Sequence, residues 1–199
     1  MIAAFDVHYF GAGYASAAAV LFRDYADAEA AGEYTSLVLG VSRYTSGQFY
    51  KRELPCILRL LDQFEEPLDE MVIDGYVMLG DRPGLGRHLF DSFSGQIPVI
   101  GVAKSRHKNA AGKEVFRGDS RRPLYVTSAG IGPDAAADRV QAMHGGHRLP
   151  TLLKRVDLLA RRGAEADLPP NLCTCIDRKM PALRPARPCS GIDFYNPIR

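Results

Sequence analysis

The spacing of apolar residues changes twice along the chain. The stretches Ile2–Tyr9, Ala18–Tyr25 and Glu33–Val41 carry short apolar runs separated by turns containing Gly and Ala, and they predict three strands of an antiparallel meander. From Tyr50 onward the period becomes helical. Tyr50, Leu54, Ile57, Leu58 and Leu61 mark one face, which predicts a helix over about residues 50–64 with Pro55 in its first turn. Glu70–Leu79 reads as a buried strand, Pro83–Phe93 as a short helix and Pro98–Ser105 as a second buried strand. Residues 113–128 predict a basic hairpin turning about Gly118 and Asp119. Asp134 is a candidate cap for a helix reaching Met143. A last helix starts after Pro150, presents Leu152, Leu153, Val156, Leu159 and Ala160, and is expected to stop at Gly163. Three antiparallel strands, a helix, and two more strands with helices between them define an α/β class. The expected architecture is a mixed five-stranded sheet flanked by helices.

The last 36 residues lose this periodicity and hold six of the thirteen prolines, so the expected organisation is a domain over 1–163 and a Pro-rich tail over 164–199. No apolar run approaches the length of a membrane span, and no basic-then-apolar leader is visible. Cys56, Cys173, Cys175 and Cys189 are too few and too unevenly spaced for a disulfide framework, and their spacing does not fit the usual zinc pairs. The expectation is a cytoplasmic monomer with no membrane partner. The net charge of +2 conceals an asymmetry. Residues 1–75 carry twelve Asp/Glu against five Lys/Arg, and residues 104–162 carry thirteen Lys/Arg against five Asp/Glu. That pattern suits a chain that binds a polyanion and also holds a cation, although a solvated surface would read the same way. Arg106, Lys108, Arg117, Arg121 and Arg122 gather around the predicted hairpin and would suit phosphate contacts.

Four acids stand where a carboxylate is expensive. Asp6 and Asp74 lie toward the C-terminal ends of strands that otherwise read as buried. Glu53 falls three residues after Tyr50 and four before Ile57, at the edge of the stripe that the helix should bury. Asp157 falls four residues after Leu153 and three before Ala160, again at the boundary of an apolar stripe. Ionised carboxylates do not stay buried without partners, a proton or a metal. If the first and fourth strands are neighbours, Asp6 and Asp74 stand side by side within reach of Glu53. Oxygen donors without a Cys or His cluster favour a hard cation, Mg²⁺ or Mn²⁺, and such a site suits phosphoryl chemistry.

The same segments resemble the endonuclease V family, in order and with compatible spacing. "FDVHY" resembles its first-strand Asp motif, and "YTSGQFYKRELP" its Tyr-x-Pro-Gly segment leading into Arg-Glu-x-Pro. "VIDGY" resembles its Val-Asp-Gly-His-Gly segment, "PVIGVAKS" its Pro-x-Ile-Gly-Val-Ala-Lys strand, and "RLPTLLKRVDLLA" its Arg-Leu-Pro…Ala-Asp helix. The resemblance implies an RNase H-like fold. It also implies Mg²⁺-dependent cleavage of DNA or RNA one phosphodiester beyond a deaminated base, typically inosine. By that resemblance Asp6, Glu53 and Asp74 would be catalytic metal ligands supported by Asp157, and Lys104 would orient water or bind phosphate. Tyr44 would be a wedge filling the space of an extruded base, with Gly47, Gly75 and Arg82 at strand-binding positions.

The departures are equally specific. Arg43-Tyr44-Thr45-Ser46 lacks the prolines that stiffen the family's wedge. Tyr76-Val77 and Gly80-Asp81-Arg82 stand where the family has His-Gly and His-Pro-Arg. The chain starts at the first strand, and its interval from Asp74 to Asp157 is short for the family. Two alternatives follow: a related nuclease triggered by another lesion or a branched strand, or a nucleic-acid-binding protein with little catalysis.

Overall fold

The computed structural model describes residues 1–10, 13–41, 48–108 and 111–166. Strands β1 (Ile2–Phe10), β2 (Tyr14–Phe22) and β3 (Gly32–Leu39) form the antiparallel meander, and α1 (Tyr50–Leu61) follows. β4 (Glu70–Asp74) lies parallel to β1. The two-residue strands β5 (Met78–Leu79) and β6 (Arg82–Pro83) make a small separate hairpin before α2 (Leu85–Ser92). β7 (Val99–Ala103) runs parallel to β4, and β8 (Lys113–Val115) and β9 (Leu124–Ala129) extend the sheet antiparallel. Helices α3 (Pro133–Ala142) and α4 (Thr151–Ala166) complete the chain as described. The sheet order is β3-β2-β1-β4-β7-β9-β8, which is an RNase H-like arrangement. None of the described helices is long and apolar enough to cross a membrane.

Strand alternation explains the layers. Ala3, Phe5 and Val7 of β1, with Ala15, Ala17, Ala19 and Leu21 of β2, pack against Cys56, Ile57 and Leu60 of α1 and Leu89 of α2. Ala4, Ala18, Val20 and Phe22 face the other way, onto Ala136 and Val140 of α3 and Leu152, Val156 and Ala160 of α4. The small Ser16 and Ala18 of β2 leave room for α4 to settle closely. At Gly163 an added Cβ would come within 2.4 Å of Ser16 Oγ. Gly163 is therefore a close-packing residue rather than a helix stop, and α4 runs on to Ala166 where a stop was expected.

Other differences from the sequence reading also have local causes. β4 ends at Asp74 rather than continuing to Leu79, because Gly75 adopts φ +133° and the Val77 amide leaves the ladder to donate to Thr127 Oγ1. Gly101, opposite on β7, allows this turn to pass: a Cβ there would lie 2.6 Å from Gly75 O. The sheet has seven strands rather than five because the predicted hairpin joins it. Leu124 and Val126 of β9, paired beside β7, are fully buried in the core layer that includes Ala136 and Val140 of α3. β2 starts at Tyr14, four residues early. Asp134 sits inside the first turn of α3 behind Gly132 and Pro133 rather than capping it. Pro55 lies in the second turn of α1, where it leaves the Lys51 carbonyl without a helical donor.

Candidate active site

The parallel pairing of β1 and β4 fixes the site. Phe5 stands opposite Ile73, so Asp6 and Asp74 are the next residues on neighbouring strands, at the end where β4 stops. Glu53 approaches from α1, which buries it with Cys56, Ile57 and Leu60. Asp6, Glu53 and Asp74 line one cavity together with Phe5, Val7, Ile57, Ile73 and Leu85. Across Asp6 and Asp74, a second hollow is lined by Lys104, Leu149, Leu153 and Val156. Lys104 follows β7, and its Nζ donates to Asp74 Oδ2 at 2.7 Å and stands 3.6 Å from Asp157 Oδ1. Arg161, one turn along α4, clasps Asp157 with bonds of 2.9 and 3.2 Å.

These neighbours set the protonation states. Burial, then the charges of Asp6 and Asp74, pushes Glu53 up to about 9. Burial and the Asp74 charge raise Asp6 to about 6, although Lys104 and the Val7 amide, which donates to Asp6 Oδ1 at 2.8 Å, pull the other way. The Arg161 hydrogen bonds hold Asp157 below its ordinary value. Burial works against the Lys104 ammonium, but the Asp74 hydrogen bond and the charges of Asp74, Asp157 and Asp6 outweigh it and raise its pKa.

A stability profile follows from these shifts. Between the unfolded values, 3.8 for Asp6 and 4.5 for Glu53, and the folded values of about 6 and 9, the folded chain holds protons that the unfolded chain has released. Stability therefore falls as pH rises through that window. In chelator-containing buffer the melting temperature is expected to drop by several degrees from pH 5 to pH 9. A profile rising over that range would contradict the assigned surroundings of Glu53.

The donor set fits a hard divalent cation. All four acids offer oxygen, and Glu53 Oε2 is buried with no hydrogen-bond partner. Among the described residues, however, no three acids, His or Cys are drawn together to hold an ion; the Lys104 ammonium serves as the cation between Asp74 and Asp157 instead.

The remaining predicted residues divide clearly. Gly75 makes the turn directly after Asp74, and its amide donates to Val102 O at 3.1 Å. Arg82, on β6, and Arg121 and Arg122, between β8 and β9, are exposed. Tyr44, Gly47 and the cysteines beyond Cys56 lie outside the described residues. Arg117 is a correction: it is 4% exposed, and its guanidinium donates to the carbonyls of Val140, Gln141, Met143 and Gly145. It closes the end of α3 and cannot reach a phosphate. Tyr76, where the family pattern has His, donates from its hydroxyl to Ser105 O at 2.8 Å and accepts from the His107 amide at 3.0 Å. It thereby latches the loop carrying Arg106 and Lys108.

Two groups escaped the sequence reading. The Arg148 guanidinium donates to Lys104 O and, at 2.8 Å, to Pro123 O, which ties the Lys104 strand end to the Arg121–Arg122 loop. Its place before Leu149 and Pro150, at the entry to α4, was the available signal. Tyr9 and Arg52 form a stack, with the guanidinium carbon 4.0 Å from the ring centroid. Nothing in residue spacing announces that contact.

An RNase H-like sheet with carboxylates side by side on β1 and β4, one in mid-strand and one at the end of β4, defines the class of protein. A family model described as Endonuclease V matches residues 1–132. Endonuclease V from Streptomyces avermitilis is 26% identical, with a TM-score of 0.67 over 82% of this chain and 81% of that one. The catalytic domain of human endonuclease V is 22% identical, with a TM-score of 0.71 over 84% and 83%. Endonuclease V from Ciona intestinalis, in complex with a 24-mer DNA containing an inosine followed by a ribo-adenosine, is 21% identical, with a TM-score of 0.70 over 82% and 85%. The chain belongs to the endonuclease V family.

Proposed function

We propose that this chain is a divalent-cation-dependent endonuclease that hydrolyses a phosphodiester near an inosine-like base in DNA or RNA. The observation that carries the reading is the single cavity shared by Asp6, Glu53 and Asp74, with Lys104 bonded to Asp74 in the adjoining hollow. Family membership supports the reaction class, and the inosine-containing DNA bound by the Ciona protein supports the choice of base. Asp6, Glu53 and Asp74 would hold Mg²⁺ or Mn²⁺, with Asp157 in support. A cation bound there supplies charge neutralisation at the scissile phosphate and lowers the pKa of water.

The chain's own side chains divide the remaining work. The Lys104 ammonium, kept charged by Asp74 and Asp157, offers its donors to a phosphate oxygen. Glu53, raised to about 9 by burial and the charges of Asp6 and Asp74, can hold a proton near neutral pH in the absence of a cation. The exposed Arg106, Lys108, Arg121 and Arg122 can neutralise neighbouring phosphates. The altered residues around Tyr76 favour a second reading in which the trigger is a branch or another lesion. Cleavage of matched strands carrying inosine, adenosine or a flap separates the two in Mg²⁺. Inosine-dependent cutting is expected. Equal cutting of the inosine and adenosine strands with preference for the flap selects the second reading.

A further inference from the structure

The ladder between β7 and β9 ends at the pair Ala103 and Tyr125, and Lys104 is the first residue past the end of β7. Pro123 stands just before β9, and its ring nitrogen carries no hydrogen with which to extend the pairing. One guanidinium takes over at this fork. Arg148 Nη2 donates to Lys104 O and, at 2.8 Å, to Pro123 O. The Lys104 side chain is held separately, with Nζ 2.7 Å from Asp74 Oδ2 and 3.6 Å from Asp157 Oδ1. Asp157 belongs to α4, and Arg148 lies just before that helix. One segment therefore grips Lys104 twice, by its carbonyl and by its ammonium. Leu149, beside Arg148, lines the hollow shared with Asp6, Asp74 and Lys104.

The entry to α4 has other anchors. The Thr151 amide donates to His144 O at 2.9 Å, the His144 amide donates to Tyr25 O at 3.1 Å, and Arg117 reaches Gly145 O at 2.9 Å. Arg148 thus reaches from a segment fixed elsewhere to a strand end that has left its ladder. We infer that Arg148 is a positioning residue for Lys104, fixing the backbone from which the ammonium reaches between Asp74 and Asp157. Without the guanidinium the Lys104 carbonyl turns to water, the strand end loosens, and Nζ spends part of its time away from Asp74. A displacement of about 1 Å at a reacting group costs about a hundredfold in rate. Asp74 and Asp157 still attract the loosened ammonium, so the loss should be about tenfold. A lysine at this position keeps several donors on a shorter stem and should restore most of the hold.

The catalytic consequence rests on the nuclease reading, whereas the placement of Lys104 is read without turnover. Metal-free protein is treated with limiting acetic anhydride, and peptide masses give the labelling of Lys104 relative to Lys154, which is exposed on α4. Arg148→Ala should raise that ratio about threefold or more, because an ammonium partly released from Asp74 reacts in proportion to the released population. With Mg²⁺ and an inosine-containing oligonucleotide, the same variant should lower the single-turnover rate about tenfold and leave binding of that oligonucleotide in chelator unchanged, the split expected of a group acting in the transition state. Arg148→Lys should restore both readouts. Lys104→Ala combined with Arg148→Ala should cut no more slowly than Lys104→Ala alone. Denaturant midpoints identify folded variants, and Arg148→Gln, too short to bridge the fork, stands in if Arg148→Ala does not fold. An unchanged labelling ratio, or rate losses that add in the double variant, overturns the inference. A raised ratio in a protein that cuts no strand supports the placement and removes only the nuclease reading.

Discussion

Glu53→Gln should lose cleavage by about three orders of magnitude and, in metal-free buffer, melt at a higher temperature than wild type. The opposition of the two effects is the informative part. Glu53 is 7% exposed, faces Asp6 and Asp74, and has an oxygen without a hydrogen-bond partner. An amide of the same shape removes the electrostatic cost of that position, so the stability gain should grow from pH 4.5 to about 9 and then level off. The same change removes the negative charge that would help hold a cation against the scissile phosphate. Losing about 4 kcal/mol of such stabilisation corresponds to about a thousandfold in rate. The check pairs single-turnover cleavage with melting curves over pH. A variant that cuts at the wild-type rate rules out the role given to Glu53, and one that loses both activity and stability points to a purely structural carboxylate.

The second large effect concerns folding. Arg117→Ala should cost about 3 kcal/mol or more, because it strips donors from carbonyls that the fold has already taken out of water. The guanidinium reaches Val140 O at 2.6 Å, Gln141 O at 2.7 Å, Met143 O at 2.6 Å and Gly145 O at 2.9 Å. No single ammonium spans four acceptors with that geometry, so Arg117→Lys should recover only part of the loss. Denaturant midpoints measure the effect. Arg121→Ala and Arg122→Ala provide the contrast: both residues are exposed, so these variants should leave the midpoint in place and weaken nucleic-acid binding in a salt-dependent way. A midpoint for Arg117→Ala within error of wild type would show that the carbonyls find other donors.

Residue chemistry made the core of this site readable before its geometry. Asp6, Glu53 and Asp74 stand out because a carboxylate at the margin of an apolar run needs a reason, and parallel pairing of the strands brings two of them side by side. The meander and the helical period of α1 were legible for the same reason: each buries one face. Periodicity could not distinguish Arg117 from its neighbours. A buried arginine and a solvated one look alike in a basic stretch, and only the tertiary fold brings α3's carbonyls to it. Nor could it reveal that the hairpin joins the sheet, since that depends on how Leu124 and Val126 find cover beside β7. The four acids also suggested a closed ligand set. In the structure, Lys104 takes the place between two of them, as expected where like charges face one another and a flexible ammonium is within reach.

The most direct test of the central claim is titration of Mn²⁺, followed by the electron paramagnetic resonance of the free ion, into wild type, Asp6→Asn, Glu53→Gln and Asp74→Asn at pH 8. Wild type should sequester the ion, and each variant should do so at least tenfold more weakly while remaining folded. Binding that is equal in all four proteins would contradict a cation held by these three carboxylates.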